Sequence, residues 1–494
     1  MHLPIPPIGA GLLFLLAFLS SANDMVNIVG TAVASQAMAP RRALVLGGLC
    51  SVVGYLLSAA AAAPPLPDRI GASLFPPSSP WRHGFCDTKD AVFAHGLLIA
   101  LSAAVVVLAL ATVAKLPVSS TYAVVGGLLG MTLTYTGVDA LDMPSLVRLA
   151  LSWVAAPLLS ALLSAVVYRL TARWILNTKH PQSQALAVLP AFYSLSLAGF
   201  VSVVVGRARP LLGRYRDYFH GISLLLGLVT YGLARYSLVP YVARHLPSFM
   251  HGNPCHPTLS TSALSPFASV YDLAALQRDS MPSCLMDSTF TRDDDDNEIP
   301  SLGDNPSVLQ RSSLEWNGDF WCLTPPQRDA YYVFNYALLL LSALTAALYG
   351  MHAGTTATTL LQLLDTIQRH RDAPFRESDA PLWTTAVAAV GCFLGAVLLG
   401  RRVLTPVLHG ACFVSPHRGF CMQVGPVVVL SLAVLLQVPT SSTHCTLSAI
   451  AAVSRAHYGT WKLERARFIC FGVSWVLMLP TTIACAAGIA YALR

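Results

Sequence analysis

Ten stretches of this sequence, 8–40, 43–67, 91–114, 116–138, 149–168, 217–234, 331–368, 380–400, 420–454 and 470–493, each run for 18 residues or more with almost no charge. About 20 apolar residues in a helix cross a hydrocarbon core roughly 30 Å thick. Only 11% of the chain is charged, against about 25% in soluble domains. Inside lipid every backbone N–H and C=O must find its partner within the protein, so continuous apolar runs of this kind resolve into helices. The expectation is an all-α polytopic membrane protein with roughly 10–12 membrane segments, some of them broken or re-entrant.

The formal charge of +7 conceals an asymmetry. Between Tyr241 and Ala330 there are 5 Lys/Arg against 12 Asp/Glu, a balance of 5 − 12 = −7, which leaves 7 + 7 = +14 for the rest. Those cations sit mostly in short loops, the pattern of membrane topology rather than of nucleic-acid binding. No Lys or Arg precedes Arg41, which argues against a cleaved leader and for an N-terminus outside, with Arg41-Arg42 inside. Arg169, Arg173 and Lys179 follow inside if 116–138 spans fully, whereas Arg207, Arg209, Arg214 and Arg216 then fall outside, against the rule. The chain divides into a first membrane half (1–240), an acidic cytoplasmic loop (241–330) and a second membrane half (331–494). The loop is rich in Pro, Ser and Asp, carries the run Asp293–Asp296, and reads as solvated and disordered. The 11 cysteines form no CxxC pair. Cys50, Cys392, Cys445 and Cys485 read as small buried hydrophobes, and Cys86 and Cys322 carry no disulfide argument.

One motif occurs twice. Residues 116–122 read Leu-Pro-Val-Ser-Ser-Thr-Tyr, and 438–444 read Val-Pro-Thr-Ser-Ser-Thr-His, an offset of 441 − 119 = 322. Ser152-Trp153 and Ser474-Trp475 keep the same register, 474 − 152 = 322. Two landmarks in one register point to a duplicated half, and Pro-broken polar segments at corresponding places in two halves mark the binding site of secondary transporters. A Pro breaks or kinks the helix, and the residues after it can begin a half-helix whose N–H groups attract an anion. Ser119, Ser120 and Thr121, with Ser441, Ser442 and Thr443, add uncharged donors, so two such ends facing each other suit a tetrahedral oxyanion. The bland alternative is that these hydroxyls satisfy backbone carbonyls or join helices.

Asn23, Asp24 and Asn27, followed by Gly30 and Thr31, interrupt the first apolar run. A carboxylate at membrane depth is costly and marks function. Three polar groups within five residues suit a locally unwound helix, whose freed carbonyls would join the Asp and Asn oxygens in a hard-cation site. The alternative is a capping or buried structural pair. His444, in place of Tyr122, is either structural or an anion donor. Arg418, in Ser415-Pro416-His417-Arg418-Gly419-Phe420, is either a topology anchor or a functional cation.

Taken together, these residues resemble the inorganic phosphate transporter family of sodium- or proton-coupled phosphate permeases. Its Gly-Ala-Asn-Asp motif is matched by Ser21-Ala22-Asn23-Asp24, and its Pro–Ser/Thr elements by Pro117–Tyr122 and Pro439–His444. Its Arg-Gly-Phe stretch is matched by Arg418-Gly419-Phe420, with weaker matches at Ser152-Trp153 and Leu189–Tyr193. The resemblance implies two inverted-topology repeats, phosphate held between them and alternating access. It implies phosphate binding by Asn23 and the two Ser-Ser-Thr triplets, and a cation at Asp24 with Asn27 and Thr31. The family repeats its Gly-Ala-Asn-Asp motif in the second half. Here that place reads Gly350-Met351-His352-Ala353, so the second carboxylate is absent and His352 stands beside its position.

The function expected is secondary active symport of inorganic phosphate with sodium or protons, without an enzyme activity and without a cofactor beyond the coupling ion. No metal site is expected apart from sodium at Asp24. Inorganic phosphate and the bilayer are the partners, nucleic acid is not, and a homodimer is left open. The plasma membrane is the default location, with an intracellular organelle open. The alternatives are a sulfate permease, a non-transporting phosphate sensor or receptor, and an intramembrane hydrolase. The last lacks a Gly-x-Ser-x-Gly elbow and leaves the repeated triplet unexplained.

Overall fold

The computed structural model describes residues 5–60, 89–207, 218–246, 325–369, 382–410, 414–436, 438–458 and 465–493. The described part of the first half holds α1 (Ile5–Ala34), α2 (Pro40–Ala60), α3 (Lys89–Val113), α4 (Ser120–Tyr135), α5 (Met143–Thr171), α6 (Pro181–Arg207), α7 (Phe219–Leu233) and α8 (Val239–His245). The second holds α9 (Pro325–Arg369), α10 (Leu382–Gly410), α11 (Pro416–Leu436), α12 (Ser442–Tyr458) and α13 (Arg465–Ala492). Among the described residues ten helical stretches are long and apolar enough to cross a bilayer. The protein is all-helical and multi-pass, as its uncharged runs require. The acidic run Asp293–Asp296, Cys86 and Cys322 lie outside the described residues.

Two central helices are too short to cross. α4 has 16 residues and α12 has 17. At 1.5 Å per residue each covers about 25 Å. Both start immediately after a Pro-containing extended segment, 116–119 and 438–441; each segment with the first turn of the helix that follows is called here a tip. Pro117 and Pro439 supply no N–H, and Ser119 is extended (φ −89°, ψ 117°), so the helical ladder restarts only at Ser120. α3 ends at the first tip, where Lys115 takes a left-handed conformation (φ 61°) and Leu116 N–H closes on Ala111 O.

The helix α1 is the spine. It packs with α3, α9, α10 and α11, and in its last part Met25, Ile28 and Val29 lie against Gly47 of α2. α10 runs parallel to it, with Gly391 at Phe14, Gly395 at Phe18 and Gly400 at Met25. α9 runs antiparallel, with Tyr349 near Asp24 and Leu338 level with Thr31. Glycine is required at several crossings, among them two in the core: a Cβ on Gly395 would strike Phe18 O, and one on Gly350 would strike Ser51 O on α2. α5, α6, α7 and α13 form the rim, presenting Leu158, Leu195, Leu224 and Val476 to lipid.

The unwound segment expected at Asn23–Thr31 is absent. α1 is helical throughout, so its carbonyls stay within the ladder. The polar side chains find partners on other elements, and opening the helix would gain nothing. Of the four cysteines read as buried, Cys392 and Cys445 are so, while Cys50 and Cys485 are half-buried.

Candidate functional site

Asn23 ties the first tip to the middle of α1. Its Nδ2 donates to Leu116 O (2.9 Å), and its Oδ1 accepts from Val118 N–H (2.8 Å). Both faces of the amide are used, so the tip's depth is fixed near the helix centre, inside the span. One residue on, Asp24 meets the opposite tip. Its Oδ1 accepts from Ser442 Oγ (3.0 Å), Thr443 Oγ1 (3.3 Å) and Asn27 Nδ2 (2.6 Å). Asn27 Nδ2 also donates to Thr443 Oγ1 (2.9 Å). Asp24 is 1% exposed, yet its Oδ2 has no partner, nor has Asn27 Oδ1. The Tyr349 hydroxyl lies beside this carboxylate. A buried carboxylate costs several kcal/mol unless its charge is met. Neutral donors do not meet it, neither the three on Oδ1 nor the Tyr349 hydroxyl beside the carboxylate, and the unpartnered oxygens are hard donors of the kind a small cation takes.

The two tips grip each other reciprocally. Thr121 Oγ1 donates to Thr440 O (3.2 Å), and Thr443 Oγ1 donates to Val118 O (3.2 Å). Trp153 Nε1 on α5 donates to Pro439 O (3.0 Å), and Trp475 Nε1 on α13 donates to Pro117 O (3.2 Å). Every pair keeps the repeat register: 443 − 121, 440 − 118, 475 − 153 and 439 − 117 are all 322. Tyr122 OH meets His444 Nδ1 at 3.2 Å, again 322 apart, and each ring packs on a tryptophan, Trp153 at 4.0 Å and Trp475 at 4.1 Å. The carbonyls of both prolines are thus capped by the indole of the other half.

A pocket of about 20 Å³ opens between α1, α9 and the tips, lined by Ser20, Tyr55, Ser120, Thr121, Tyr349, His352, Ala353 and Ser442 among others. Space of this size holds a water, and a tetrahedral oxyanion requires the walls to part slightly. The lining is hydroxyl-rich. His352 Nε2–H donates to Thr440 O at 3.2 Å.

Of the residues expected at the site, Ser120, Thr121, Ser442 and His352 line this pocket; Asp24 is joined to it through Ser442, Asn27 and Thr443 are bonded to Asp24, and Asn23 holds the first tip. Ser119 and Ser441 are buried behind it, Ser441 Oγ capping α12 by accepting from His444 N–H (3.3 Å). His444 links the tips instead of facing the pocket. Thr31 is not among the groups bonded to Asp24. Its Oγ1 donates to Gln423 Oε1 (3.0 Å), because it lies two turns beyond Asp24 on α1. Arg418 lies farther still, at the start of α11, where its Nε donates to Ser415 Oγ (3.1 Å) and Gly419 packs on Thr31.

Several residues went unread in the sequence. Gln423 Nε2 reaches Asn27 O, Ile28 O and Thr345 Oγ1, fastening α11 to α1 and α9 beside the site. It is the single amide in the run 420–436, and that isolation was the available signal. Tyr55 and Tyr349 are buried hydroxyl donors hidden in apolar runs. Arg207, read only for topology, is buried at the end of α6, within electrostatic reach of His352.

An all-helical membrane protein with two proline-started half-helices meeting at a buried carboxylate is built as a transporter, not as an enzyme. The chain belongs to the phosphate transporter family, whose model matches residues 20–486. It is 24% identical over 474 residues to the chloroplastic inorganic phosphate transporter 2-1 of Arabidopsis thaliana, covering 94% of this chain and 68% of that one. It is 21% identical to the phosphate-repressible phosphate permease pho-4 of Neurospora crassa, covering 93% and 92%. The solved structure of a sodium-dependent phosphate transporter shares the fold, with a TM-score of 0.73 at 21% identity over 99% of both chains.

Proposed function

We propose that this chain is a sodium-coupled symporter of inorganic phosphate that works by alternating access. The observation that carries the reading is Asp24: one oxygen is gripped by Ser442 and Thr443 of the opposite tip, the other is buried without a partner. A sodium ion on Asp24 Oδ2 and Asn27 Oδ1 neutralises the carboxylate. It thereby removes the repulsion an anion in the adjacent hydroxyl pocket would meet, so each ligand favours the other. The two half-helix starts aim their N-terminal dipoles at that anion. The reciprocal contacts in the 322-residue register support a pair of inverted repeats whose tips part and re-form as the site opens to either side. The hard-oxygen set supports sodium over a proton, as does the sodium dependence of the structural neighbour.

The test is uptake of labelled phosphate by the purified chain in liposomes. An inward sodium gradient is expected to drive it, a potassium gradient is not, and an imposed proton gradient alone is not. Unlabelled sulfate in excess is expected to leave uptake standing. Asp24→Asn should abolish sodium-driven uptake. Uptake driven equally by protons, or sulfate competing as well as phosphate, overturns the corresponding part of the reading. A chain that binds phosphate without moving it is a sensor.

A further inference from the structure

The two halves match closely at the tips and differ where charge is decided. Asn23 on α1 holds the first tip at Leu116 O and Val118 N–H, and His352 on α9 holds the second at Thr440 O, with 440 − 118 = 322. The next residue on α1 is Asp24, beneath the hydroxyls of Ser442 and Thr443. The next residue on α9 is Ala353, which lines the pocket with Ser120 and Thr121, the partners of Ser442 and Thr443 in the same register. Where one pair of hydroxyls donates to a carboxylate, the other faces a methyl group. Thr121 donates to Thr440 O as Thr443 donates to Val118 O, and of the two only Thr443 makes the additional bond to a carboxylate.

From this asymmetry we infer that the chain binds a single coupling cation per anion, at Asp24 and Asn27, and that His352-Ala353 makes the related position a neutral half-site that serves the anion alone. The inference rests on the sodium–phosphate reading above. Taking a cation out of water into a dry site is costly, and neutral dipoles alone do not repay it; a carboxylate does. Among the described residues, the buried, unpartnered oxygens beside a negative charge stand beneath the second tip, Asp24 Oδ2 and Asn27 Oδ1. Beneath the first tip the pocket is lined by Ala353 with Ser120 and Thr121, and beside them lies the imidazole of His352, whose Nε2–H is directed to Thr440 O of the second tip. Among the described residues that side offers a cation neutral hydroxyls and an imidazole but no carboxylate, and the Ser120 hydroxyl there lines the pocket shared with the anion.

The test counts sodium directly. Equilibrium binding of ²²Na⁺ to the purified full-length chain, in saturating phosphate, is expected to saturate at one ion per chain and to vanish in Asp24→Asn. Installing the missing carboxylate by His352→Asn with Ala353→Asp is expected to add a second ion and to raise the Hill slope of sodium-activated phosphate uptake from about 1 to about 2. Two ions on the native chain, none, or one that survives Asp24→Asn overturns the inference. Should the double variant fail to fold, the native and Asp24→Asn counts decide alone. One ion bound but no uptake in liposomes sinks the transport reading and leaves the count standing.

Discussion

Gln423 carries much of the order around the cation position without touching it. Its amide bridges α1 at Asn27 and Ile28, α9 at Thr345, and accepts from Thr31, all in a buried setting. Gln423→Leu keeps the volume and strands those partners. Leaving buried polar groups unsatisfied costs about 1–3 kcal/mol. The expected outcome is a lower melting temperature in detergent and a several-fold rise in the sodium concentration for half-maximal uptake, with the maximal rate largely kept. An unchanged sodium dependence would mean that the amide only fastens helices. At this scale the sequence was most legible where chemistry is dear: Asp24 and its neighbours declare themselves because charge in lipid is rare, and the triplets because they recur. Gln423, Tyr55 and Tyr349 carry no such flag, since a lone amide or phenol in an apolar run is also an ordinary packing residue. Thr31, two turns beyond Asp24 on a helix that stays continuous, bonds Gln423 instead of the carboxylate, a partner that sequence order alone does not show.

The elements are held by close approach, and the glycines that permit it divide sharply from those that do not. Gly350 on α9 crosses α2 so closely that any Cβ meets Ser51 O, whereas Gly199 on α6 has nothing within 4 Å of its Cβ position. Gly350→Val forces two helices of the core apart, at a cost of at least about 1–3 kcal/mol by the usual measure of overpacking. It is expected to lose the monodisperse peak on size exclusion or to melt well below the native chain. Gly199→Ala meets no atom and removes helix-interior glycine freedom, so its melting temperature should match or exceed the native value. Equal effects of the two would contradict the packing described. The long helices were legible from their uncharged runs, and the two half-helices from Pro117 and Pro439, because a missing N–H acts locally wherever the chain sits. The continuity of α1 was not, because it depends on Leu116, Val118 and Thr443 arriving from elsewhere to satisfy Asn23 and Asn27.

For the whole molecule, the two halves hold each other at their weakest points. Each proline leaves its tip without a helical ladder, and each tip's carbonyl is capped from the other half, Trp153 to Pro439 O and Trp475 to Pro117 O. Between these indoles lie Tyr122 and His444, bonded to each other and packed on them, so the four rings form one chain across the interface. A motion that parts the tips has to break this chain and remake it. Trp153→Phe and Trp475→Phe each keep the ring and remove one N–H. A neutral hydrogen bond of this kind contributes about 0.5–1.5 kcal/mol, so each single variant is expected to change the initial rate of phosphate uptake by roughly 2- to 12-fold, the two being similar. Distant sites add, and sites joined through shared partners do not. The double variant should therefore depart from the product of the singles by at least about 0.5 kcal/mol in a double-mutant cycle on uptake rate. Independent effects, or one tryptophan that matters and one that does not, would show that the tips move separately. The reciprocal bonds would then serve packing alone.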